Sequence, residues 1–256
     1  MNYYPKNTLT RYTTRLENAI SLVGDWEVGL FEIQYPHSWF NLEKNEAGFA
    51  YTHNVEVDGR LERQHSVMRL PSGHYDTPME LTRTITELLE ENMAKHQPHA
   101  FPKFRYSPIT NRIYTAMPKT TMIQFSPALC GMLGIGNRQN PIKNTNVAAP
   151  IDFIGENACD VNRGFSSAYV YCNILEHIPV GHTKAPLLRI VSVSGKGGET
   201  IRTTYEKPLY VPLQQKAFDS IEIDIRSDTG DPIPFEYGKV LVTLHFRLRK
   251  IPYLLQ

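Results

Sequence analysis

Ser220–Arg249 reads SIEIDIRSDTGDPIPFEYGKVLVTLHFRLR, and how it divides decides the fold. Between two runs that read as strands stands Asp228-Thr229-Gly230, the tripeptide of aspartic proteases. A protease of the retroviral kind sets this triplet in a loop facing its two-fold mate, so that two carboxylates share one proton. Here the triplet runs into Asp231, Pro232 and Pro234. Asp and Gly tolerate turn dihedrals, and the prolines keep the connection out of a ladder. The sequence has no second Asp-Thr/Ser-Gly, and the chain is much longer than a retroviral protease subunit. The stretch is therefore expected to be strand, turn, strand.

Working outward, KVLVTLHFRL (239–248) sets Val240, Val242, Leu244, Phe246 and Leu248 on one face, against Leu241, Thr243, His245 and Arg247 on the other. Asp25–Tyr35, DWEVGLFEIQY, reads as a mostly buried strand with Gly29 as its bulge. SSAYVYCNIL (166–175), PLLRIVSV (186–193) and IRTTYEKPLYVPL (201–213) are rich in β-branched and aromatic residues, punctuated by Pro and Gly, and each reads as one strand.

Two segments break the pattern. In TPMELTRTITELLEENMAKHQ, Thr77 caps, Pro78 takes the first helical position and Glu80 closes a capping box. Leu81, Ile85, Leu88, Leu89 and Asn92 then follow helical spacing, which predicts a helix of about five turns packed on a β core. SPALCGMLGIG predicts a second, short helix started by Ser126 and Pro127 and stopped by Gly134 or Gly136. There is no repeat, no low-complexity linker and no firm domain boundary. The expectation is one domain over 1–256, with a helical insertion around 76–97 and a long exposed loop around 137–150.

Composition narrows the chemistry. With 27 Lys plus Arg against 26 Asp plus Glu the net charge is +1, and no basic block exists to neutralise phosphates, so specific nucleic-acid binding is not expected. No secretory signal and no window of about 18 apolar residues is present, so a chain with no membrane span, not secreted by a signal peptide, is expected. Cys130, Cys159 and Cys172 cannot all pair, and no Asn-x-Ser/Thr occurs, which fits a reducing compartment and a fold without disulfides. SGKGGE fails as a phosphate loop: Ile190 stands where the first glycine belongs, and Gly197 where Ser or Thr belongs. His96, His99, His177 and His182 sit near prolines and read as solvated loop histidines rather than ligands. No catalytic residue, cofactor site or metal site is predicted. Most of the 14 Tyr, 11 Phe and 2 Trp are expected in the core or in cross-strand pairs. The exception is YPHSWFNL (35–42), just past a strand end, where Trp39 and Phe40 are expected to be interface residues.

DWEVGLFEIQYPHSWFNL near the start, and the run from SAYVYCNIL to KVLVTLHFR near the end, resemble the minor capsid proteins of Polinton (Maverick) virus-like transposons. The resemblance spans about Asn7 to Arg249 and is most specific in the C-terminal part. It implies a single jelly-roll penton protein without enzyme activity that forms homopentamers at the five-fold vertices of an icosahedral capsid, beside a separate double jelly-roll major capsid protein. It implies location in the virion, assembled inside the host cell, in cytoplasm or nucleus. The residues themselves agree on an all-β class: many short strands without βαβ alternation suggest a sandwich, and a jelly roll is one of the few ways such a chain closes its edges, so with the resemblance the fold expected is a single jelly-roll β-sandwich with one long inserted helix and one short helix. A major capsid protein would need two such sandwiches. A lectin-like or cytokine-like jelly roll is opposed by the missing signal peptide and sequons, and a hydrolase by the lack of any convergent acid-base group.

Overall fold

The computed structural model describes residues 6–93 and 101–249. The chain opens with β1 (Arg11–Ser21) and β2 (Trp26–Pro36), followed by the hairpin β3 (Gly48–Val57) and β4 (Arg60–Arg69). The helix α1 (Pro78–Met93) precedes β5 (Lys103–Ser107), β6 (Arg112–Met117) and β7 (Thr121–Phe125). After α2 (Pro127–Leu133) and a 3-10 turn at Asn137–Gln139 come β8 (Ile142–Asn144) and β9 (Ile151–Ile154). The remaining described elements are all strands: β10 (Ser167–Cys172), β11 (Ile178–Val180), β12 (Thr183–Ala185), β13 (Leu187–Ser192), β14 (Thr200–Thr204), β15 (Tyr210–Pro212), β16 (Ala217–Arg226) and β17 (Leu241–Leu248).

These elements form two compact units, one from residues 1–39 with 165–256, the other from 40–164. The expectation of one domain with a helical insertion meets a chain with two hydrophobic cores, each confined to its own unit.

The first unit is the jelly roll. Count β1, β2, β10, β11, β12, β13, the broken strand β14–β15 and β16 as first to eighth. One sheet then runs first, eighth, third, sixth, in the order β1-β16-β10-β13. The second strand pairs with the seventh, and the fourth with the fifth. A bridge between Leu175 and Leu213 ties the chain entering β11 to the end of β15. That order, with every pairing antiparallel, is two Greek keys rolled into a sandwich. Val28, Leu30 and Ile33 of β2 close on Ala168, Val170, Val191, Ile223 and Ile225 of the other sheet. The final strand, β17, adds to the remaining side of β2, with Val242, Leu244 and Phe246 turned towards the core as its alternation requires.

Two details of this unit depart from the sequence reading. Val28, Leu30, Ile33 and Tyr35 are all buried, which strict alternation forbids. Thr243 pairs with Glu32 and Leu244 with Leu30, so Phe31 is an extra residue and the strand changes phase there. The bulge is therefore at Phe31, not at Gly29. Gly29 is needed for a close approach instead: a Cβ on it would lie 2.8 Å from the Leu209 carbonyl oxygen and from Pro208 Cβ. Likewise, 201–213 is two strands rather than one, parted at Tyr205–Leu209, where Pro208 has no N–H to give a ladder.

The second unit packs two sheets, β4-β3-β7-β8 and β5-β6-β9, with α1 and α2 around a core of its own. Thr77 caps as expected, the Glu80 N–H donating to Thr77 Oγ1 at 3.1 Å, but the Glu80 carboxylate accepts from the Asp76 N–H at 3.0 Å, one residue before the cap whose N–H a capping box would use. The buried stripe is Leu81, Ile85, Leu89 and Met93, one residue per turn. Leu88 lies half-buried on its flank and Asn92 is exposed, so the apolar face is narrower than the sequence spacing implied. The expected continuation to residue 97 falls outside the described residues. The stretch 137–150, expected as exposed loop, contains β8, which pairs with β7 and buries Ile142 and Asn144. The ends of the unit are tied by Asn41, whose side-chain amide donates to the Val161 and Tyr75 carbonyls and accepts from the Tyr75 N–H, each at 2.9 Å.

Candidate interaction surfaces

Asp228-Thr229-Gly230 lies in an exposed turn after β16. The Gly230 N–H donates to the Ser227 carbonyl (3.1 Å), the Ser227 N–H to the Asp231 carbonyl (2.9 Å), and Thr229 Oγ1 to the Asp231 carboxylate (2.9 Å). Arg226 Nη1 reaches the Gly230 carbonyl at 2.9 Å. These bonds define a self-contained loop whose polar groups satisfy one another. SGKGGE closes in the same way: the Lys196 N–H donates to the Glu199 carboxylate at 2.8 Å, and the Glu199 N–H to the Lys196 carbonyl at 3.1 Å. Its glycines 195 and 198 hold positive φ between β13 and β14, with no helix to follow.

Among the described residues no group of three or more His, Cys, Asp or Glu is arranged to hold a metal. His177 and His182 are exposed, the first just before β11 and the second in the turn between β11 and β12, and His96 and His99 fall outside the described residues. Cys130, Cys159 and Cys172 are free and buried. Burial pushes each thiol up to about 11, which keeps all three protonated and unreactive at neutral pH. Among the described residues no helix is long and apolar enough to cross a membrane.

Trp39 and Phe40, the expected interface pair, separate. Trp39 is buried in the first core, 4.0 Å from the stacked ring of His37 and edge-on to Phe165 at 5.3 Å and Phe235 at 5.8 Å. Phe40 is 39% exposed. Residues 35–39 are buried without a break, Pro36 and Ser38 included, so no alternation marks the side the indole takes. Of the expected interface pair only Phe40 is exposed.

What the jelly roll offers a partner lies on its sheets. The outer face of β14, β2, β15 and β17 carries paired polar groups beside exposed Phe31 and Leu241. Arg202 contacts the Glu32 carboxylate at 2.6 Å and holds it below the usual carboxylate range. Arg247 contacts Glu27 at 2.5 Å and stacks over Tyr210, whose hydroxyl meets His245 Nδ1 at 2.9 Å. The outer face of the opposite sheet carries Tyr169 and Tyr171, half-buried, beside Ile190 at 46% exposure and the Arg226–Asp224 pair. Cross-strand register puts Tyr169 between Arg226 and Ile190 in one row. Tyrosine and arginine beside an exposed aliphatic is the composition favoured at protein interfaces.

No protein-family model matches this sequence, and no curated protein matches it. In fold, the chain is similar to the SeMet-labelled mavirus penton protein, known from a crystal structure, with a TM-score of 0.52 at 9% sequence identity, over 93% of this chain and 90% of that one.

Proposed function

We propose that this chain is a structural subunit of an icosahedral capsid, a penton-like minor capsid protein of the Polinton type that assembles as a homopentamer beside a separate major capsid protein. The observation that carries the reading is the similarity of fold to a penton protein over nearly the full length of both chains, including the 40–164 unit as well as the jelly roll. The self-contained hydrogen bonding of the Asp228 and Lys196 turns, together with the burial of the three thiols, supports a structural role rather than an enzymatic one. The near-balance of charge, +1 over 256 residues, supports close packing of several copies, because a strongly charged subunit would repel itself around an axis. On this reading the protein resides in the virion after assembly inside the host cell.

Light scattering of the purified chain at micromolar concentration is expected to give about five times its 29.3 kDa mass, and negative-stain images are expected to show five-fold rings. A stable dimer or trimer as the largest species would refute the pentamer.

A further inference from the structure

A sheet edge is an open row of backbone donors and acceptors, and natural folds block such rows with proline, bulges, charge or brevity. The jelly roll treats its edges unequally. β1 has a register irregularity between Arg15 and Ile20 and exposes Arg11, Arg15 and Glu17. The β14–β15 side is interrupted at Tyr205–Leu209 and holds Pro208 and Pro212. Neither β17 nor β13 is blocked in this way. β17 has eight residues without proline, and its one formal charge, Arg247, is committed to Glu27. Its pairing with β2 is irregular only because β2 carries the extra residue Phe31, so β17 itself runs unbroken. β13 has six residues without proline, and its one charge, Arg189, is folded over the Tyr205 ring at 3.5 Å. Its irregularity falls near its start and leaves Arg189–Ser192 in regular register.

The ladders show which groups are free. The Arg249 N–H donates to the Asp25 carbonyl at 2.8 Å, so in the antiparallel alternation Arg247 and His245 face β2 while Leu248, Phe246 and Leu244 turn their backbone groups away from it. The Val193 N–H donates to the Ser166 carbonyl at 2.8 Å, so Val191 and Arg189 face β10 while Ser192 and Ile190 turn theirs away. No other described strand pairs with either side. Leu241 and Leu248 are each 55% exposed and Ile190 46%, so the flanks of both edges are open.

We propose that the outer edge of β17 in one copy pairs in parallel with the outer edge of β13 in the next, the direction that keeps the outer pleats of both strands on one face, joining a sheet of each across the subunit boundary. This rests on the pentamer reading and specifies its contact. Both halves of the pair are present on the one chain and on different sheets, so the contact is head-to-tail and can repeat around a ring. An edge that mates with itself stops at a dimer.

The test places cysteines on the outer pleats. Thr243→Cys, His245→Cys and Arg247→Cys are each combined with Ile190→Cys, three double variants that sample the register, since opposed side chains in paired strands lie within disulfide reach. The native thiols are buried and stay silent. Under mild oxidation at least one double variant is expected to give a ladder of linked species up to pentamer on a denaturing gel, while single variants give none. In the unaltered protein, the Leu244 and Phe246 amides are expected to exchange with deuterium at least about tenfold more slowly in the assembled state than in dilute monomer. Pentamers by light scattering without any ladder, and without that protection, would overturn the edge contact and leave the pentamer standing. Linked dimers from His245→Cys alone would replace it with self-pairing. A monomer at every concentration, with both edge amides exchanging freely, would remove the pentamer and the edge contact together.

Discussion

Trp39 and Phe165 meet edge to face, with ring centroids 5.3 Å apart, at the points where the chain leaves the jelly roll and returns to it. The two cut ends of the roll are thus held together by its own core, as Asn41 and Val161 hold the ends of the other unit. Trp39→Ala should remove this contact and the His37 and Phe235 contacts with it, at a cost of about 3–5 kcal/mol. Phe40→Ala should stay within about 0.5 kcal/mol, the range of surface substitutions. Denaturant melts of the two variants side by side check the split. Equal costs would place both rings in the same environment and contradict the burial of Trp39.

The narrow stripe of α1 makes a second comparison within one helix. Leu89 is fully buried between Ile85 and Met93, whereas its neighbour Leu88 only borders the core. Leu89→Ala should cost about 2–5 kcal/mol and Leu88→Ala clearly less. Thermal melts showing the reverse order would mean that the helix is rotated by about a quarter turn from the face described.

Much of this was legible in the sequence. The last strand announces itself by alternation from Val240 to Leu248, and both helices by Thr77, Ser126 and the prolines that follow them, because those signals are local. The misreadings share a cause. The phase change at Phe31 is fixed by how β17 pairs with β2, more than two hundred positions away, and the burial of Leu89 over Leu88 by which sheet the helix meets. Pro208, by contrast, was a local sign that 201–213 breaks, whereas nothing local marked Trp39, since residues 35–39 are buried without a break. The division into two units had no local sign, since residues 40–164 are flanked by strand ends with no linker composition to mark the joint.

The Asp228 turn yields a prediction of contrast. The Asp228 side chain is exposed, so Asp228→Asn should leave the melting temperature and the assembly state unchanged. Gly230 holds φ at +89°, where a side chain is strained, so Gly230→Val should cost about 1–3 kcal/mol despite full exposure. Loss of a measurable peptidase activity in Asp228→Asn, with the fold retained, would restore the protease reading that the turn geometry disfavours.

The three buried thiols give the last prediction, in two pH regimes. Near neutrality each is protonated and free, so adding a reductant should not shift the melting temperature, and a clear drop would reveal a bridged pair. At high pH the sign is set by burial. Each thiol titrates near 9.0 when exposed and near 11 in the fold, so the folded state holds protons that the unfolded state has released. The stabilisation linked to those protons is complete below about pH 9 and is lost as pH rises from about 9 to 11, by about 1.4 kcal/mol per thiol for each step of one in pH. Tyr75, pushed to about 12 by burial, adds the same sign at the upper end of that window. Stability measured by denaturant titration should therefore be flat from pH 7 to about 8.5 and fall steeply above 9. Cys172→Ala, at the most deeply buried of the three, should make that fall shallower even though the variant starts from a lower stability at pH 7. An unchanged slope in Cys172→Ala would show that the thiol ionises as freely in the folded protein as in water, and that the jelly-roll core around it is open to solvent.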